Sequence, residues 1–296
     1  MISLLAGGGA LAAQQPAAPQ ELVVRKLDFD GNRSISDEIL ASVIATTNSS
    51  WFATSPVARW IGLGEKRYFD SREFQADVLR LQVFYIRSGY PDVTVDTVVR
   101  REPRDIYITF KIHEGLPVRV DTLSVLGLDS FPRQVQQKIL TDLPLRVGDV
   151  FNRFLMQADA DTIVRRLKDH GYPSADVFTS FESRAADRTA TIVLAVVPGT
   201  RAWISQLHVA GTDRVDSGTV TAFVSARPGE RFSQSDLYQS QRNLYQSDLF
   251  RFAAVNIDTT GYRPGSDSVP LLIQVNESRP YRVRGGLGYG TTDCFR

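Results

Sequence analysis

The amino-acid sequence predicts an α+β protein made of three tandem β-α-α-β-β repeats, each with two helices on a three-stranded mixed sheet. Three observations predict it. A short strand pattern ending in a glycine turn occurs three times. A helix pattern opening on an aromatic residue follows each time, and in two copies it stops at Gly-Tyr-Pro. Two alternating strand patterns then close each copy, so that one unit measures about 80 residues, enough for its own two-layer core.

The opening strands are Leu27-Asp28-Phe29-Asp30-Gly31-Asn32, Leu123-Ser124-Val125-Leu126-Gly127-Leu128 and Leu207-His208-Val209-Ala210-Gly211-Thr212. Apolar residues alternate before each glycine, which is the period of a half-buried strand. Gly31, Gly127 and Gly211 supply a turn conformation that other residues adopt reluctantly. Ile35, Ile39, Val43 and Ile44 then repeat at helical spacing, with Ser36 as N-cap and Asp37 and Glu38 in the first turn. The second copy has Val135, Ile139 and Leu140 after Pro132, and the third has Val215, Val220, Phe223 and Val224. The second helix begins after Phe69, Phe151 or Phe232. Five residues on stand Phe74, Met156 and Leu237, and sixteen on from the first two stand Tyr85 and Leu167. Twenty on come Gly89-Tyr90-Pro91 and Gly171-Tyr172-Pro173, where glycine ends the helix and proline prevents its continuation. The third copy is shorter and ends Leu244-Tyr245-Gln246-Ser247-Asp248-Leu249-Phe250. The closing strands are Val93–Arg100 with Ile106–His113, Ala175–Glu182 with Thr189–Val197, and Arg251–Asp258 with Val269–Glu277. Loops rich in Arg, Asp, Pro and Gly join them, as hairpins require. Turns at Glu114-Gly115, Pro198-Gly199 and Glu277-Ser278 end the copies.

Hydrophobic residues at 43% and charged residues at 23% are ordinary for a globular chain. Lys+Arg 34 against Asp+Glu 33 gives no electrostatic case for nucleic acid as the main partner, or for a polybasic membrane anchor. Cys294, the one cysteine, makes no internal disulfide and no zinc cluster. His113, His170 and His208 fall one per copy, and neither H-E-x-x-H nor G-x-S-x-G occurs. Asp159 and Asp161 fall on opposite sides of a helix and read as solvated. The residues therefore indicate no catalytic, cofactor or metal site, and no enzyme. No run of 18 apolar residues is present, so no transmembrane helix is expected. Residues 1–12 read as a signal peptide cut after Ala12, with a linker at 13–21; a disordered tail is the alternative. No Lys or Arg precedes the apolar run, which leaves the true start open. The first copy carries an insertion at 51–66 with Trp51, Phe52 and Trp60, either a hydrophobic plug over its own domain or a contact with membrane or partner.

These residues resemble POTRA domains, the polypeptide-transport-associated repeats of the BamA and TamA outer-membrane assembly factor superfamily. The resemblance rests on Phe29-Asp30-Gly31-Asn32, Gly89-Tyr90, Gly171-Tyr172, Glu114-Gly115, and Leu244 to Phe252, which is similar to the helix end of a last POTRA domain. It covers about Leu22 to Glu277 and implies domains at 22–118, 119–201 and 202–279. Three copies resemble the TamA arrangement. Beyond them, Tyr281, Val283, Gly285, Leu287 and Tyr289 share one face, and Arg282, Arg284, Gly286, Gly288 and Gly290 the other. That division suits a transmembrane barrel strand. Residues 280–296 resemble the family's first barrel strand and are expected to begin an outer-membrane β-barrel; a glycine-rich tail is the alternative. One strand closes no barrel, so the chain is expected to be part of a longer protein.

The resemblance implies a bacterial outer-membrane protein whose region here lies in the periplasm. It implies that the second strand of each repeat is an open edge to which an unfolded outer-membrane protein or a lipoprotein partner adds a strand. The residues are Val93, Val95, Thr97 and Val99; Val177, Thr179 and Phe181; and Ala253, Val255 and Ile257. Accessory periplasmic proteins or lipoproteins, and outer-membrane lipid through the barrel, are the other implied partners. Nucleic acid, small-molecule substrates and cofactors are not implied. Gly31, Gly89, Tyr90, Gly115, Gly127, Gly171, Tyr172, Gly199 and Gly211 mark the repeat structurally. An assembly factor is the leading reading, with a secretion pore for one dedicated client or a non-transport periplasmic scaffold as alternatives.

Overall fold

The structure, a computed structural model, describes residues 22–47 and 68–278. The expected signal segment, the insertion at 51–66 and the expected barrel strand at 280–296 lie outside the described residues.

The first repeat runs β1 (Val23–Asp30), α1 (Asp37–Val43), α2 (Ser71–Arg87), β2 (Thr94–Arg101) and β3 (Asp105–His113). The second runs β4 (Arg119–Leu126), α3 (Arg133–Leu140), α4 (Arg153–Asp169), β5 (Asp176–Arg184) and β6 (Thr189–Val197). The third runs β7 (Trp203–Ala210), α5 (Ser217–Ala222), α6 (Gln234–Gln246), β8 (Phe250–Ile257) and β9 (Ser268–Glu277). The last strand is central in every sheet, in the orders β1-β3-β2, β4-β6-β5 and β7-β9-β8. β1 and β7 pair parallel with their central strands, with Phe29 opposite Phe110 and Val209 opposite Ile273. β2, β5 and β8 pair antiparallel, with Val95 opposite Ile112, Val177 opposite Val196 and Val255 opposite Ile273. Parallel pairing demands a long crossover, and the helices supply it. Contacts divide the chain into two compact units, Met1–Arg119 with Val150–Arg153, and Val120–Asp149 with Phe154–Arg296.

Alternation on the central strands decides which face is covered. Ile106, Ile108, Phe110 and Ile112 of β3 are buried, and so are Ala190, Ile192, Leu194 and Val196 of β6. Leu40 and Ile44 after β1, and Leu81 and Tyr85 of α2, close over the first sheet. In α1 the buried residue is thus Leu40, joined by Ile44 at the C-cap, and Ile39 is half exposed. The expected stripe is turned because α1 has only two turns, and the four-residue spacing of Leu40 and Ile44 sets its facing. Ser36 stands at the N-cap, but its side chain makes no cap bond to the helix. The turn before it is tied instead by Asn32, whose Nδ2 donates to the Ile35 carbonyl and to Asp37.

Each second helix buries one polar side chain eight residues beyond its aromatic: Asp77, Asp159 and Ser240. Each accepts backbone N–H groups from the segment that follows the first helix. Ala45 and Thr46 donate to Asp77 at 2.8 and 2.9 Å, Leu145 to Asp159 at 3.1 Å, and Ser225 to Ser240 at 2.8 Å. Amides buried away from water need such partners. Burial would raise the Asp77 carboxyl, but bonds from Thr46, Ala45 and Arg80 outweigh it and hold the group below its ordinary value. Asp159 lacks that support. Its Oδ2 has no hydrogen-bond partner among the described residues, and burial pushes the carboxyl up to about 6 against the Leu145 bond. The expectation that Asp159 and Asp161 are both solvated is therefore corrected. Asp161 is exposed and accepts from Gln157, whereas Asp159 lies on the inward face with Met156, Ile163 and Leu167.

The glycine turns do equivalent work in all three copies. Gly31, Gly127 and Gly211 have φ of 89°, 86° and 87°. A Cβ at each would stand 2.1 Å from the carbonyl oxygen of Ile112, Val196 or Val275 on the central strand. Gly89 and Gly171, both at φ 98°, end α2 and α4 as expected. The Tyr90 and Tyr172 N–H groups reach back to the Tyr85 and Leu167 carbonyls at 3.0 and 3.1 Å. The aromatic that opens each second helix is stitched to the start of the first strand. Phe69 N–H donates to Leu22, Phe151 to Val118 and Phe232 to Ala202, at 2.8, 2.8 and 3.0 Å. Val118 and Ala202 in turn donate to the Gly89 and Gly171 carbonyls at 2.9 and 2.8 Å.

Candidate functional site: an open strand edge in each repeat

The central strand spends both its sides on pairing, so each sheet ends in a first strand and a second strand. The first strands are partly covered at their starts. Val23 bridges to Tyr68, Arg119 to Val150 and Trp203 to Arg231, each the residue just before the aromatic. β2, β5 and β8 carry no such bridge among the described residues. Backbone N–H and C=O groups face outward along each, the Val177 N–H on β5 being taken up by Asp176 Oδ1 at 2.8 Å.

The residues expected along these edges divide into two sets. Val93 precedes β2 and is buried, and Val95, Val177, Ala253 and Val255 point into the core. They anchor the strands instead of facing a ligand, because alternate side chains of an edge strand still belong to the core face. Thr97 and Phe181 are exposed, and Val99, Thr179 and Ile257 are half-buried. Beyond Val95 and Val177 burial fades toward the hairpins, so that Ser180 to Arg184 are exposed throughout. Charges punctuate the edges: Asp96, Arg100 and Arg101 on β2, Asp176, Glu182 and Arg184 on β5, and Arg251 on β8. Such charges discourage like copies from pairing edge to edge.

The far end of each sheet is fixed by a carboxylate in two of the three copies. Glu277 accepts from the N–H groups of Val215, Asp213 and Arg214, each at 2.8 Å, and these bonds bring its carboxyl down to about 2. Glu114 accepts from the Ser34 N–H and hydroxyl, both at 2.9 Å, and from the buried Tyr85 hydroxyl at 3.2 Å. The second copy has Pro198 at this place. There Gln136 Nε2 donates to the Leu128 and Phe131 carbonyls, and Phe131 packs on Tyr172 at 5.2 Å.

The outward faces of the edges also differ, a feature to which the repeat markers gave no clue. Phe178 lies opposite Ala195, whereas the matching pairs are Asp96 with Lys111 and Ala254 with Gln274. The histidines lie apart from one another in the three copies. His208 Nδ1 meets Asp258 at 2.7 Å, His170 Nδ1 meets the Arg166 carbonyl at 2.7 Å, and His113 ends β3. Among the described residues no group of three or more His, Cys, Asp or Glu is placed to hold a metal ion. No helix among them is long and apolar enough to cross a membrane.

Three mixed three-stranded sheets with paired helices are the architecture of a POTRA array. The family model described as POTRA, surface antigen variable number repeat, matches residues 22–115 and 118–199, and the chain belongs to that family. The outer membrane protein assembly factor BamA of Neisseria meningitidis serogroup B is 24% identical over 258 residues, covering 86% of this chain and 31% of its own length. BamA of Neorickettsia risticii is 25% identical over 275 residues, covering 92% of this chain and 35% of its own. The chain thus spans about a third of the length of the curated relatives it matches. The crystal structure of Haemophilus influenzae BamA POTRA3-5 superposes with a TM-score of 0.55 at 20% identity, over 88% of this chain and 100% of that one, and shares the fold.

Proposed function

We propose that the chain is the periplasmic POTRA region of an outer-membrane protein assembly or translocation factor, and that its second strands take up unfolded client chains by strand addition. The observation that carries this reading is the free side of β2, β5 and β8, at the same place in three sheets of one design. The relatives named for outer-membrane protein assembly support the same direction. Backbone donors and acceptors are common to all clients, so an open edge serves many sequences with little demand on side chains. Val93, Val95, Val177, Ala253 and Val255 hold the edge strands flat on the core, while Thr97, Val99, Thr179, Phe181 and Ile257 continue the same face toward the hairpins, beside the added strand. The work is binding and hand-over, with no bond made or broken and no cofactor. Accessory periplasmic proteins or lipoproteins are the further partners of this reading.

Titrating the isotope-labelled chain with a peptide of about ten alternating residues, the length of a barrel strand, tests this. Amide shifts should concentrate in Thr94–Arg101, Asp176–Arg184 and Phe250–Ile257. Shifts confined to the helices, or to β1, β4 and β7, would overturn it.

A further inference from the structure

The three edges offer the same backbone but not the same side chains. On the face of the sheet turned away from the helices, β6 carries Val193, Ala195 and Val197. At matching positions β3 carries Thr109, Lys111 and His113, and β9 carries Leu272, Gln274 and Asn276. The edge strands follow in part, Phe178 standing between Asp176 and Ser180 on this face of β5. Phe178, 61% exposed, stands opposite Ala195, and Val197 beside it is 49% exposed. On β8 the exposed Phe252 stands opposite Asn276, and on β2 Asp96 stands opposite Lys111. The apolar patch of the second sheet ends at Val193, beyond which the same face carries Thr191 and Glu182 and then Arg184, which reaches Asp121 at 3.6 Å.

A strand added beside β5 would place every second side chain on this face, next to Phe178 and within reach of Ala195. An apolar side chain there would cover apolar surface now open to water. Beside β2 the same side chain would strip water from Asp96 and Lys111 with only the half-exposed Val98 in return. Beside β8 it would gain Phe252 but crowd two amides. The patch and the open edge are continuous, so a single extended chain covers both. A transmembrane β-strand has one apolar and one polar face.

Resting on the strand-addition reading above, we infer that β5 is the selective edge of the array. Its ligand is an extended strand with one continuous apolar face, the pattern of an unfolded transmembrane β-strand, laid with that face beside Phe178. β8 takes such strands less well, and β2 least.

The test uses the full chain with a photo-crosslinking residue at Val98, Ser180 or Asn256, matching outward positions on the three edges. The probe is a peptide of about ten residues alternating Leu or Tyr with Thr or Ser, and the control has the same composition scrambled so that neither face is apolar. The alternating peptide should crosslink best at 180, then at 256, then at 98, and the scrambled one should show no such order. Phe178→Asp, at an exposed position that leaves the core intact, should lower the yield at 180 about fivefold and leave 98 and 256 unchanged. Equal yields at all three positions, indifferent to Phe178→Asp, would overturn the selectivity while strand addition stands. No crosslink at any of the three would overturn strand addition and the selectivity with it.

Discussion

Gly211 and Gly229 both hold positive φ, 87° and 82°, yet a methyl group added to them meets different surroundings. At Gly211 it would stand 2.1 Å from the Val275 carbonyl oxygen, an atom of a central strand that cannot step aside; at Gly229 nothing lies within 4 Å. Gly229→Ala should therefore lower stability by about 1 kcal/mol through backbone strain alone. Gly211→Ala should lower it by about 3 kcal/mol or more, since the clash adds to the strain. Denaturant midpoints of the two variants check this, and equal losses would refute the close approach. Asp77→Ala should cost about 3 kcal/mol, because it leaves the Ala45 and Thr46 amides without their acceptor and takes one of the two carboxylates that Arg80 pairs with, Glu73 being the other. Ser240→Ala, which removes a neutral acceptor, should cost about 1 kcal/mol. Asp159 adds a pH dependence. Its folded carboxyl is raised to about 6, so its stabilising form is the protonated one. That contribution is complete below the unfolded value near 3.8 and is lost as pH rises through 6. Hydrogen exchange at the Leu145 amide should therefore be better protected at pH 5 than at pH 7.5, and Asp159→Asn should flatten the difference.

At the scale of elements, legibility in the sequence followed the strength of local pattern. Phe69, Phe151 and Phe232, with the Gly-Tyr-Pro stops, marked the second helices of the first two copies to within a few residues, because amphipathic spacing and glycine termination act locally. The first helices were harder. α1, α3 and α5 have seven, eight and six residues, too few to average out a misread position, and Ile39 was read as inward when Leu40 is. The buried polar residues were hidden for a different reason. Asp77, Asp159 and Ser240 share an offset from the aromatic but not a residue type, and only their partners 14 to 32 residues away disclose the common task. The strand edges were foreseen as elements, but half of the named residues are buried: those of each strand share the core-side face, and burial fades only toward the hairpins.

At the scale of the whole molecule, recurrence made the architecture readable. No single motif was specific, but three glycine turns, three aromatics and three closing pairs in one order left few other topologies. The difference between the outward faces of the sheets stayed out of sight because it needs strand register, and register comes from pairing. Within the second unit the sheets of β4–β6 and β7–β9 are tied by the Ala202 to Gly171 bond at 2.8 Å and by the Ser235 N–H donating to Asp169 at 2.7 Å. Residues 119–279, expressed alone, should therefore unfold in one cooperative calorimetric transition; two resolved transitions would show that these ties do not couple the sheets.

The Gly-Tyr-Pro turn also has a consequence in time. Once α2 or α4 has closed on its glycine, the carbonyl of Gly89 or Gly171 stands ready to receive the first amide of the strand that comes next in the chain. A nascent array delivered amino terminus first would meet, at each stage, a finished edge on which to start the following copy. The loop-closure entropy of beginning afresh would be reduced each time. Order of synthesis and order of folding would then coincide over the first two copies, each offering its glycine carbonyl to the chain that follows.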